Sequence, residues 1–195
     1  MTEFEYINDR TTGEGTMEKT QGFEVFAQSG REDIAVVYLA RFGEEKHIEF
    51  VESLQPGLSR EEKWVLILSS LFGCPIGCRI CDAGQIKYRG LLSKEMILAQ
   101  IDYLIKKRYP NGEVPVKKFK IQFARMGEPA FNPHVLDVLE ELPHLYKAPG
   151  LMPSLSTVAP VQAGAFFERL IILKEKLYTQ GRFQMQFSVH TTDEA

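Results

Sequence analysis

The sequence predicts an α/β fold: a partial (β/α) barrel of about four strand–helix units, preceded by a small antiparallel β unit. Three observations carry this. Short β-branched and aromatic runs crowd residues 22–52, separated by turn-like breaks. From residue 64 onward, apolar strand-like runs alternate with helix-like runs. That alternation is the pattern of parallel βα units with right-handed crossovers. The three cysteines of the chain follow the first of those later strands, at Cys74, Cys78 and Cys81.

The first twenty residues are polar and show little periodicity, as expected of a loose arm. GFEVFAQ, DIAVVYLARF and KHIEFVE then read as three strands, with breaks at Ser29-Gly30-Arg31 and Gly43-Glu44-Glu45. Pro56-Gly57 and the charged SREEK end this unit. The predicted boundary lies near residue 60, giving an N-terminal arm and accessory β unit over 1–59 and a core over 60–195.

WVLILSS is continuously apolar, as suits a strand buried on both faces. Ser93 is placed to cap a helix through Arg108, with Ile97, Ile101, Leu104 and Ile105 on one side and Pro110-Asn111-Gly112 as its stop. KFKIQFARM, MPSLSTV and RFQMQFSVH are the next strands, and PHVLDVLEEL and AGAFFERLIILKEKLY the next helices. Alternation along the strands is informative. Phe119, Ile121 and Phe123 share one face, as do Leu155 on the third strand and Phe183, Met185 and Phe187 on the fourth. Gln122, Ala124, Ser154, Ser156, Gln184, Gln186, Ser188 and His190 fall on the other. A closed barrel interior is filled by Val, Ile and Leu, so this polar face predicts a partly open barrel that holds a polar ligand. No helix follows the last strand in the sequence. An uncovered edge strand is a liability, so the chain is expected to be a fragment or to be covered by something else.

Composition is that of a globular protein, 44% hydrophobic and 25% charged, with no run of about 18 apolar residues of the kind that spans a membrane. The acidic start MTEFEYINDR has no apolar stretch, so no signal peptide is expected, and clustered free cysteines suit a reducing cytoplasm. Net charge is −3, but residues 60–125 carry thirteen basic and six acidic side chains. Lys106, Lys107, Arg108, Lys117, Lys118 and Lys120 lie in that block. Its bias suits either a polyanion-facing surface or an ordinary solvated face.

The spacing C-x3-C-x2-C holds one cysteine fewer than a closed tetrahedral zinc site and cannot pair fully into disulfides. Gly73, Gly77 and Gly84 allow the chain to curl so that the sulfurs converge. Thiolates suit zinc or iron–sulfur clusters. Zinc would need a distant His47, His134, His144 or His190; a disulfide with one free thiol is a further alternative. A cubane cluster with three thiolates keeps one iron open for an exogenous ligand.

C-x3-C-x2-C after a first strand resembles the radical S-adenosylmethionine (SAM) enzymes, and Gly127-Glu128-Pro129 after the second strand resembles their SAM-binding turn. A narrower resemblance, over about residues 20–195, is to the RlmN/Cfr-type rRNA adenine methyltransferases. It rests on Met126-Gly-Glu-Pro129, Leu155-Ser-Thr-Val-Ala159 and Ser188-Val-His190. It implies a [4Fe-4S] cluster on Cys74, Cys78 and Cys81. It implies SAM bound by Gly127, Glu128, Ser156, Ser188 and His190, and its reductive cleavage to a 5′-deoxyadenosyl radical. Glu49 fits best the family's proton-accepting glutamate. RNA as substrate and an electron donor such as flavodoxin or ferredoxin follow from the same resemblance, with neither DNA nor a membrane as partner. The sequence departs from the family in three places. FARMGEPAF lacks the extra glycine before MGEP, STVAP replaces STSG, and the C-terminal methyl-carrying cysteine is absent from these residues. Alternatives are a radical SAM enzyme acting on a small molecule or peptide, and a non-catalytic zinc or iron–sulfur module.

Overall fold

The computed structural model describes residues 22–189. The expected N-terminal arm and His190 lie outside them. Seven strands form one open sheet in sequence order: β1 (Phe23–Arg31), β2 (Ala35–Phe42), β3 (Lys46–Leu54), β4 (Lys63–Leu68), β5 (Lys118–Phe123), β6 (Leu151–Thr157) and β7 (Gln184–Phe187). Pairing is antiparallel from β1 to β4 and parallel from β4 to β7. The helices α1 (Asp82–Gln85), α2 (Lys94–Arg108), α3 (His134–Leu145) and α4 (Gly164–Leu177) occupy the parallel crossovers. The fold is therefore α/β, with an open sheet and a βα half entered through an antiparallel meander.

The meander departs from expectation at its first turn. Ser29-Gly30-Arg31 stays in β1, and the chain reverses over 32–34. The backbone supplies the reason: Gly30 has φ +123°, and a Cβ there would lie 2.2 Å from the carbonyl oxygen of Ala35 on the paired strand. This glycine permits close cross-strand approach, not the turn. The second break, at Gly43–Glu45, is a turn as expected.

One face of the sheet carries the core. Tyr38, Phe50, Trp64, Phe119 and Phe123 are fully buried there, with Trp64 stacked on Phe119 at 5.1 Å between ring centroids. The apolar side of α2 packs on this face through Ile97, Ile101, Leu104 and Ile105. Its start is as expected, because the Ser93 hydroxyl accepts from the Met96 N–H at 3.3 Å. At β7 the core thins: Phe183 and Met185 pack against it, whereas Phe187 is 60% exposed.

The last residue of α2 is tied to the meander by a buried charge. Glu52 on β3 is 2% exposed. It accepts from Tyr38 Oη (2.6 Å), Trp64 Nε1 (3.1 Å), and Arg108 Nε (3.0 Å) and Nη2 (2.6 Å). Such a carboxylate is tolerable inside a protein only because each lone pair has a donor. Arg108, its side chain 15% exposed, is thereby largely withdrawn from the surface of the basic block at residues 60–125. Lys107 stays exposed, with its Nζ lying 4.9 Å from the centre of the Tyr38 ring.

Burial pushes the Glu52 carboxyl up, but hydrogen bonds from Arg108 and Tyr38 outweigh it and hold the group below its usual 4.5. A depressed carboxyl stabilises the fold above its unfolded pKa, and that contribution is lost as pH falls through the folded value. Arg108→Ala should cost about 3 kcal/mol at pH 7. Urea unfolding at successive pH values should show the gap to wild type narrowing below pH 4.5.

Candidate functional site

Parallel pairing of β4 with β5 ends at Leu68 opposite Phe123, so the loops after both strands leave side by side. They are stitched together. The carbonyl of Leu68 accepts from the N–H groups of Ala124 (3.3 Å) and Arg125 (3.0 Å); that of Met126 accepts from Ser70 (2.9 Å) and Leu71 (3.2 Å). Met126 N–H donates to Ser69 Oγ at 3.1 Å, and Ser69 Oγ donates to the Glu49 carbonyl. The cysteine loop and the Met126-Gly-Glu-Pro129 turn are thus held as one unit at the carboxyl end of the sheet, where ligands bind in parallel α/β folds.

Two buried polar residues that the sequence reading did not single out hold this unit from below. Gln100 on α2 accepts from Ser69 N–H (2.9 Å) and donates to Ser69 C=O (3.0 Å), acting as a strand would. Asn132 donates to the carbonyls of Ser70 (2.7 Å) and Leu92 (2.8 Å). The available signal was a glutamine on the apolar side of α2, between Ile97, Ile101 and Leu104.

The three cysteines line one cavity of about 580 Å³ together with Glu49, Arg125, Gly127, Glu128, Ser156, Thr157 and Ser188. Cys74 and Cys78 are half-buried, Cys81 is exposed, and all three are free thiols. Cys81 N–H donates to the Cys78 carbonyl at 3.1 Å, and Cys81 precedes α1. The wrap is tight at Gly84, where a Cβ would meet the Cys78 carbonyl oxygen at 2.7 Å. Burial pushes the Cys74 thiol up, against backbone hydrogen bonds at Ile76 and Glu128 that favour its thiolate.

Among the described residues no three His, Cys, Asp or Glu side chains converge to hold a single metal ion. Three thiols open on one cavity, and thiolates are the protein ligands that iron–sulfur clusters take. The donor set and the cavity therefore fit the cluster that the motif implies.

Gly127 has φ +95°, and a Cβ on it would fall 2.4 Å from Cβ and Cγ of Leu71 in the cysteine loop. Glu128 is buried. Its Oε1 accepts from Ala130 N–H (3.0 Å) and from the Thr157 hydroxyl, and its Oε2 accepts from Val158 N–H at 2.9 Å. This carboxylate joins the turn after β5 to the end of β6, and its oxygens can accept about four donors, so room remains for one more. Ser156 lies on the polar face as expected. It accepts from Gln122 Nε2 (3.2 Å) and donates to Gln186 Oε1 (3.3 Å), a ladder across β5, β6 and β7. Ser154 is fully buried beside it, with no partner for its hydroxyl. Ser188 is exposed, and its N–H donates to the Thr157 carbonyl at 2.8 Å. Glu49, on β3, receives both Nε (2.9 Å) and Nη2 (2.6 Å) of Arg125 on its Oε2.

No protein-family model matches the chain. A protein of Phocaeicola vulgatus described as a probable dual-specificity RNA methyltransferase RlmN is 33% identical over 157 residues, covering 77% of this chain and 41% of that protein. The corresponding protein of a Synechococcus species is 28% identical over 141 residues, covering 71% of this chain and 38% of its own length. The chain spans less than half the length of these curated relatives. A radical SAM methyltransferase from Sphaerobacter thermophilus superposes with TM-score 0.61 at 21% identity, over 77% of this chain and 42% of that one. The chain thus shares the fold of a radical SAM methyltransferase. Over about three quarters of its length its sequence is RlmN-like, the partial relationship that the motifs imply.

Gly127→Ala should destabilise the protein by about 3 kcal/mol through strain and overlap with Leu71. In a double-mutant cycle, Leu71→Ala should cost less in that background than in wild type. Ala159, at the position of the STSG glycine, has φ +50°. Ala159→Gly should therefore gain about 1 kcal/mol, read as a raised thermal midpoint.

Proposed function

We propose that this chain carries the cluster- and SAM-binding part of a radical SAM enzyme that methylates adenine in RNA. The observation that supports it most is the single cavity into which the cysteine loop, the MGEP turn and the ends of β6 and β7 all open. The relatives' description as RNA methyltransferases supports RNA as the substrate. Cys74, Cys78 and Cys81 would hold a [4Fe-4S] cluster, which supplies the electron for reductive cleavage of SAM. The electron would come from a donor such as flavodoxin or ferredoxin, in a reducing cytoplasm.

The remaining roles belong to the chain's own side chains. Glu128 Oε2 offers an acceptor for the SAM ammonium group, in a carboxylate already oriented by Ala130, Thr157 and Val158. Gly127 keeps the turn close against Leu71. Ser156, held between Gln122 and Gln186, lies along the cavity wall with Ser188, and both are read as SAM contacts, with His190 following in sequence. Glu49, which lines the same cavity, is the proton acceptor in this reading. No helix among the described residues is long and apolar enough to cross a membrane.

Electron paramagnetic resonance of the anaerobically reconstituted, dithionite-reduced protein provides the test. A reduced cubane signal that changes on adding SAM is the expected result. Cys78→Ala should lose the iron; retention of full iron by that variant, or zinc in place of iron, overturns the assignment. RNA affinity should fall steeply with added salt, as phosphate contacts require.

A further inference from the structure

Arg125 has no role in the cluster and SAM chemistry proposed for the cavity. It follows β5 directly before Met126, where the resembled motif carries an extra glycine, so its guanidinium is an addition to the site. Among the described residues lining the cavity it is the single basic side chain, facing the acids Glu49, Asp82 and Glu128. The partners of Glu128 lie within its own turn and β6, which leaves Arg125 to Glu49.

The geometry of that pair is that of an exchangeable contact. Arg125 Nε and Nη2 both converge on the one oxygen Oε2, at 2.9 and 2.6 Å. The stronger arrangement would be two parallel bonds to two oxygens. The side chains are 39% and 36% exposed, a range in which an ion pair contributes little net stability. The backbones beneath are fixed: Glu49 N–H points at Met126 Sδ (3.3 Å), and Ser69 Oγ joins the Glu49 carbonyl to Met126 N–H. The two head groups can therefore separate without moving β3 or β5. A phosphate is a better partner for a guanidinium than a single carboxylate oxygen, because it accepts both parallel N–H bonds.

We infer that Arg125 is a phosphate-receiving residue at the cavity rim and that Glu49 holds its place until a substrate phosphate displaces it. The phosphate is that of the nucleotide to be modified, so the inference rests on the RNA reading above. Exchange would also release the Glu49 carboxylate to face the cavity, coupling phosphate arrival to exposure of the proposed proton acceptor.

Opposite effects of the two partners' variants separate this from a structural ion pair. AMP, adenosine and pyrophosphate would be titrated against wild type, Arg125→Gln and Glu49→Gln, with binding followed by ligand-observed NMR and folding by thermal melting. Glu49→Gln removes the competitor and should tighten AMP and pyrophosphate by about fivefold; Arg125→Gln should weaken both by at least as much. Adenosine should respond to neither. Weakening of AMP by both variants, or no change in either, overturns the inference. Pyrophosphate, which carries no base, keeps the two readings apart. A gain for pyrophosphate in Glu49→Gln without adenosine binding supports the phosphate site and counts against an adenine substrate. No gain for pyrophosphate in Glu49→Gln overturns the phosphate site whatever adenosine does.

Discussion

The parallel pairing of β4 with β5 is the constraint on which the site depends. It ends both strands at the same level, and their next residues then satisfy one another. Leu68 and Met126 each accept two N–H groups from the opposite loop. Without this exchange the cysteine loop would carry unpaired backbone groups away from water, at a cost of the order of 1–3 kcal/mol each. With it, eight residues containing three thiols are anchored at one end to the same backbone that presents Gly127 and Glu128. The cavity is a consequence of strand register, and the side chains that line it come from segments up to 140 positions apart, from Glu49 to Val189.

Two kinds of buried polar residue maintain that register. Gln100 and Asn132 act locally, filling the donors and acceptors that the sheet leaves open where β4 becomes loop. Glu52 acts globally, tying the meander to the end of α2 through Arg108. Each is a group that is costly to bury alone and becomes tolerable when every hydrogen bond is made. Such residues specify one arrangement over others of similar apolar burial, because a shift of one strand would leave them unpaired.

Glu128 shows how a motif residue can have two uses. Its carboxylate caps the turn Pro129–Phe131 and receives the end of β6. This places Ser156 and Thr157 against the cavity, and it also aims a preorganised acceptor into it. A carboxylate held by three protein donors does not need to reorganise when a cationic ligand arrives, which is the advantage of a fixed polar site over water. Ala159, by contrast, keeps a left-handed backbone without the glycine that suits it.

The strands, the helices and the alternating polar face were legible in the sequence because each is a local, periodic property: Phe119, Ile121 and Phe123 inward to the helices, Gln122 on the opposite face donating to Ser156 at the cavity. The cysteine triplet and the MGEP turn were legible because their chemistry is carried by residue type and close spacing. The turn after β1 was misplaced because Gly30 serves a cross-strand approach, which depends on the position of Ala35 in the folded sheet. The basic block lost Arg108 to the Glu52 site for the same reason, since that partner lies more than fifty positions away. By itself the sequence determined the element order and which residues could bind a cluster. Only the tertiary structure decided that Gln100 and Asn132 brace the loops, that Glu128 is anchored on three sides, and that Arg125 meets Glu49. Those contacts join distant segments through strand register, and register is set by the packing of the whole sheet.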